Sequence, residues 1–224
     1  MFDKEVFQSY LLTYKKDFSL NYLKEKNNLW EVVKCFQDNW NINAENFFEM
    51  FANSLKKLSG TNNLIYQFST VMIRRFAENE PEKVREMFAN LYNEKIDIWT
   101  RFENFKSNSE ILFEKYGKLN EKHRQDERAI SVYLWLKNPD KYYIYKLFTL
   151  ENAAERLQSN YKFEQGDYEN NIRRFYKFCD EICEELKKDN ELAELLKNSL
   201  TESCYPDKNL KILTTDFIFY VGKE

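Results

Sequence analysis

The sequence predicts a mainly α protein, a multi-helix globular bundle, and three observations carry the prediction. Only four glycines and three prolines occur in 224 residues, against roughly 16 and 11 at average usage. Sheet architectures with many tight turns need both residues, so barrels, sandwiches and Gly-rich nucleotide folds are disfavoured. Apolar residues recur with a helical period from near the start to about residue 200. Aromatics make up 17% of the chain, with fifteen Tyr and nineteen Phe. They supply core volume while the mean hydropathy stays at −0.73.

In chain order, residues 3–25 and 28–39 read as the first two helices, on Val6, Tyr10, Leu11, Tyr14 and Phe18, then on Leu29, Val32, Val33 and Phe36. Asn43 is the expected N-cap of the next, whose stripe is Phe47, Phe48, Phe51, Leu55 and Leu58 and whose left-handed stop is Gly60. Another helix ends before Pro81. That proline, followed by Glu82, suits a first helical turn, and Val84, Met87, Phe88 and Leu91 give the buried face. A long helix follows on Ile98, Trp99, Phe102, Phe105, Ser109, Leu112 and Tyr116, up to Gly117. The polar run 118–128 either starts a helix that continues through Leu136 or marks a sub-boundary near 117–125 inside a single domain, 1–224. Pro139-Asp140 forces a turn, and 142–147 is rich enough in β-favouring residues to read as a short extended segment. Thr149 is the expected cap of a short helix to Gln158. Ile172, Phe175, Cys179, Ile182 and Leu186 form a narrow apolar seam, Asp189 opens a helix through Leu200, and 210–221 reads as a strand or a closing helix.

Several functions are disfavoured by residue type alone. A formal charge of −3 with a pI near 5.6 argues against a surface basic throughout, while leaving room for a local patch. Four cysteines are too few for a small secreted disulfide framework at this length, and no leader-like or spanning apolar run occurs, so a cytoplasmic protein is expected. The only histidine, His123, stands in a charged run and reads as solvated. A zinc site built on Cys179 and Cys183 with Cys35 and Cys204 lacks a second close pair, and two of its thiols fall on or beside an apolar seam. No phosphate-cradling glycine loop is present, and the acidic-x-Lys candidate for a metal-dependent nuclease, Glu185-Leu186-Lys187, precedes the second Pro-Asp dipeptide, Pro206-Asp207, and falls in a predicted helix where strand spacing is needed. No catalytic residue, metal or cofactor is expected.

Two features suit a nucleic-acid contact. In 132–148, Lys137, Lys141 and Lys146 interleave with Tyr133, Trp135, Tyr142, Tyr143 and Tyr145. Ammonium groups neutralise phosphates while ring faces stack on bases, although the same rings also serve as core beneath lysine stems. The second feature is Arg173, Arg174 and Lys177, opposite the apolar seam. The DNA-contact candidates are therefore Trp135, Lys137, Lys141, Tyr142, Tyr143, Lys146, Arg173, Arg174 and Lys177.

The stretches 125–146 (QDERAISVYLWLKNPDKYYIYK), 76–92 (FAENEPEKVREMFANLY) and 204–221 (CYPDKNLKILTTDFIFYV) resemble the region upstream of the motor in McrB-like proteins of modification-dependent restriction systems. The similarity runs over most of residues 30–221. In that family an amino-terminal recognition domain is joined to an AAA+ GTPase motor that works with a separate nuclease subunit. The resemblance implies a non-catalytic DNA-recognition domain with DNA, the motor and the nuclease subunit as partners, and it implies no motor activity in these residues and no particular contact residue. The alternative is a helical protein-interaction module of a phage-defence complex, since Tyr and Trp also anchor protein interfaces.

Overall fold

The computed structural model describes residues 1–18, 28–58 and 64–223. Eleven helices and no strand occur among the described residues, in a mainly α fold. The chain forms two compact units, the first from Met1–Glu31 and Pro139–Glu224, the second from Val32–Asn138.

In the first unit, α1 (Lys4–Asp17) starts where Asp3 accepts from the amides of Glu5 and Val6, both at 2.9 Å. The expected extension to residue 25 lies outside the described residues. α8 (Leu147–Arg156), α9 (Tyr168–Leu186), α10 (Asn190–Ser199) and α11 (Lys211–Val221) complete the unit, together with the first turn of α2 (Asn28–Asn39). Thr149 lies inside α8 and does not cap it; the N-cap position is Lys146, in extended backbone with no side-chain cap. The seam on α9 forms as its spacing predicts and is widened by Asn171, Phe178 and Cys183.

α11 is the centre of this unit, with α1, α8 and α9 packed on it. Its residues are buried on nearly every side, so its sequence has no amphipathic period and resembles a strand. Helix forms because the start is fixed: Asp207 accepts from the amides of Ile212 (3.1 Å) and Leu213 (2.8 Å) and from the indole of Trp30 (3.1 Å). Phe217 packs against Phe7 and Tyr14, and the Tyr14 hydroxyl donates to buried Asp216 at 2.9 Å. The strand alternative for 210–221 is thereby corrected. The other expected extended stretch, 142–147, is irregular through residue 146 and pairs with no strand among the described residues, and its last residue, Leu147, opens α8.

The second unit holds the rest of α2 with α3 (Phe47–Ser54), α4 (Gln67–Asn79), α5 (Pro81–Leu91), α6 (Ile98–Tyr116) and α7 (Glu127–Lys137). The cap of α3 is Asn46, not Asn43: its Oδ1 accepts from the Glu49 amide at 3.1 Å, and the Glu49 carboxylate accepts from its Nδ2 at 3.0 Å. The first bond caps the helix, and the second is a link between the two side chains that leaves the Asn46 backbone amide out of it. The expected stop at Gly60 lies outside the described residues. Phe88 on α5 is the hub of the core, with ring centroids 5.2–5.4 Å from Trp40, Phe51, Phe105 and Tyr133. Gly117 ends α6 without a left-handed turn; a side chain there would strike the Phe113 ring and carbonyl.

The run 117–125 is no boundary between the units but part of the second. Arg75 pairs with Glu121 at 2.6 Å, and buried Gln125 donates to the Ser69 carbonyl at 2.7 Å while accepting from the Tyr133 hydroxyl at 2.9 Å. The chain passes between the units within α2 and again between Asn138 and Pro139.

Candidate nucleic-acid interface

The residues singled out from sequence are divided between the two units. Trp135 and Lys137 belong to the second unit, whereas Lys141, Tyr142, Tyr143, Lys146, Arg173, Arg174 and Lys177 belong to the first. Trp135 is 0% exposed and its indole nitrogen has no hydrogen-bond partner among the described residues. Lys137, half-buried, ends α7. Tyr142 is 3% and Tyr143 1% exposed, packed on α9 against Tyr176 and Phe175. The Tyr143 hydroxyl donates to Asp180 at 2.8 Å and accepts from Lys211 at 2.6 Å, and burial pushes its pKa far above the ordinary phenol range.

These three rings are core, and they offer no open face for stacking. The physical reason is the one that made them conspicuous: a run of aromatics near a turn is also the cheapest way to fill a helical core.

The basic members do reach the surface. Lys141 lies over the Tyr142 ring and Lys146 over Phe219. Arg173 pairs with Glu169 at 3.1 Å and Arg174 with Asp167 at 3.2 Å, so both guanidinium groups have carboxylate partners. Lys177 is exposed.

A different surface combines exposed rings with exposed cations. On α4 the core stripe is Ser69, Met72, Ile73, Phe76 and Ala77, which turns Phe68, Val71, Arg74 and Glu78 outward. Phe68 is 58% and Tyr66, at the N-cap position, 46% exposed. The Arg128 guanidinium lies 4.6 Å and that of Arg124 5.6 Å from the Tyr66 ring centroid. Arg124 is placed by the irregular run before α7 and Arg128 by the first turn of α7. Arg128 Nε donates to the Leu64 carbonyl at 2.8 Å, and the Arg124 carbonyl accepts from Ser69 Oγ at 2.6 Å.

Farther along, Phe48, Thr70, Val71, Arg74, Arg75 and Glu78 line a depression of about 370 Å³. Arg74 is exposed and forms no ion pair among the described residues, whereas Arg75 is committed to Glu121. The first turn of α4 has no acidic residue and no side-chain cap, so the positive end of its dipole adds to the field of the arginines.

Sequence reasoning missed this face because Arg124 and Arg128 stand over 50 residues from Tyr66. One signal was available: Phe68 and Val71 are large apolar residues off the buried stripe of an amphipathic helix. The charge balance points the same way. The second unit has 16 Lys and Arg against 15 Asp and Glu, and the first 18 against 22, so the acidity of the chain resides in the first.

Other chemistry finds less support. His123 is half-buried, not freely solvated: its Nδ1 accepts from the Gln125 amide at 2.9 Å, and burial lowers its pKa. All four cysteines are buried and free, and no cluster of three metal-ligating side chains occurs among the described residues. A depression of about 510 Å³ in the first unit has a floor including Leu196, Leu200 and Cys204, with Lys197 and Lys208 on its rim, and brings no aromatic ring to them. No helix among the described residues is long and apolar enough to cross a membrane. Searches of family models, curated proteins and solved structures find no match to the chain.

Proposed function

We propose that the chain is a non-catalytic DNA-recognition domain, acting with an AAA+ GTPase motor and a separate nuclease subunit as in the McrB-like proteins it resembles, and that its second unit makes the contact. The observation that supports this reading is the face of α4, where exposed Tyr66 lies beside Arg124 and Arg128 and the same helix exposes Phe68 and Arg74. Arginine supplies the phosphate contacts that dominate affinity for nucleic acid, and exposed rings supply contacts to bases. Nothing in this reading asks the chain to perform chemistry.

The test is DNA binding by the whole chain at low salt. The double variant Arg74→Glu/Arg124→Glu should weaken binding about ten-fold or more and reduce the slope of log K against log salt by about 1 for each phosphate no longer neutralised. Arg173→Glu should leave affinity within about two-fold, because its guanidinium is already paired with Glu169. Absence of binding to any DNA, modified or unmodified, would reject the proposal.

A protein-interaction module of a phage-defence complex is the second reading, favoured by the acidity of the first unit and by Phe148, which is exposed on α8. Loss of a motor or nuclease partner on Phe148→Ala, with no DNA binding by the unaltered chain, would favour it.

A further inference from the structure

Duplex and single-stranded DNA present different surfaces to a protein. In a duplex the base faces are stacked on one another, and a protein meets phosphates and polar base edges. In a single strand the faces are open, and each can lie on an aromatic ring while cations follow the backbone. The outward side of α4 is a poor match to the first surface. Its centre is apolar, with Phe68 and Val71 exposed between Gln67 and Arg74, so docking it into a polar groove would desolvate base edges and phosphates without pairing them.

It matches the second surface well. Among the described residues no other ring stacks on Phe68, whose side chain is more than half exposed. Tyr66 is partly open beside two guanidinium groups, themselves flat surfaces on which bases stack. Arg74 lies eight residues beyond Tyr66, about 12 Å along the helix, and has no carboxylate partner among the described residues. The depression beside it has an apolar wall in Phe48 and Val71. Two cations thus flank Tyr66 at the start of α4, Phe68 follows, and Arg74 stands farther along the helix, a mixture of rings and cations that suits a flexible strand. Among the described residues, exposed Glu78 lines the depression beside Arg74, and half-buried Asp126 acts on Arg124 and Arg128.

We propose that the α4 face engages single-stranded DNA, with bases against Phe68 and Tyr66 and phosphates on Arg74 and Arg124. The proposal rests on the reading of the second unit as the DNA contact and specifies the form of DNA it takes.

The experiment compares a labelled oligothymidylate about 20 nucleotides long, well beyond one stacking site, with a mixed-sequence duplex of equal length, using the whole chain at one low salt concentration. The single strand is expected to bind at least ten-fold more tightly. Phe68→Ala should remove most of that preference, costing the single strand on the order of ten-fold and the duplex under two-fold, while Phe148→Ala changes neither. Circular dichroism of Phe68→Ala should match the unaltered chain, since the ring is exposed. Duplex binding equal to or tighter than single-strand binding would overturn the inference and leave DNA recognition standing. So would a single-strand preference unaffected by Phe68→Ala. Binding of neither DNA would overturn both.

Discussion

The first unit carries lysines and arginines around buried rings, and the second carries arginines around exposed ones. Tyr142 and Tyr143 are packed on α9, and the arginines nearest them on that helix are neutralised by Glu169 and Asp167. Tyr66 and Phe68 are open, and Arg124 beside Tyr66 and Arg74 farther along α4 are exposed. A mixture of basic and aromatic residues therefore says little about binding until the accessibility of the ring faces and the pairing of the cations are known. Both are tertiary properties.

The contrast can be broken most forcefully at the cores. Phe88→Ala removes the ring on which Trp40, Phe51, Phe105 and Tyr133 converge, and should destabilise the second unit by about 3–5 kcal/mol. Phe68→Ala, one helix away, should change stability by under about 0.5 kcal/mol. Denaturant unfolding followed by tryptophan fluorescence measures both, and similar losses would mean that Phe68 is not an open ring.

Next in size is Asp207→Ala, which leaves the Trp30 indole and two α11 amides without their acceptor. A loss of about 2–3 kcal/mol is expected, confined to the first unit, with DNA binding unchanged in the fraction that remains folded. A loss of DNA binding in that folded fraction would move the contact toward the first unit.

A smaller effect separates Asp207 by charge. Burial raises its carboxyl pKa to about 7, against the lowering effect of its three N–H donors. A folded-state pKa above the unfolded one means that the stabilising term is fully present below the ordinary carboxylate range and is lost as pH rises through about 7. Asp207→Asn should accordingly flatten the pH dependence of first-unit stability between about pH 5 and 8 relative to the unaltered chain. An unchanged profile would show that the carboxylate is ionised throughout.

The smallest expected effect is at His123, whose pKa is lowered by burial. Its term is present above the unfolded value near 6.5 and is lost as pH falls through the folded one. In His123→Gln the second unit should lose slightly less stability on going from pH 7 to 5 than in the unaltered chain.

How much could be read in advance follows from how each element meets the core. α9 was legible because one side of it faces solvent, so Ile172, Phe175, Cys179, Ile182 and Leu186 stand out at helical spacing. α5 was legible from Pro81 and the stripe of Val84, Met87, Phe88 and Leu91. α11 was not, because a helix buried on nearly all sides has no polar face to set a period, and its β-branched residues suggest a strand. The aromatic run at 142–145 misled for a related reason: composition identifies rings but not which side of them is covered.

By itself, then, the sequence determined the helical class, the placement of most helices and the absence of a recognisable phosphate loop, all of which follow from residue type and local spacing. Only the tertiary structure decided that the chain divides within α2 and after Asn138, that Asp207 holds the start of α11, and that Arg124 and Arg128 meet Tyr66. Each of these depends on residues far apart in the chain, and local periodicity carries no information about which distant side chains will share a surface.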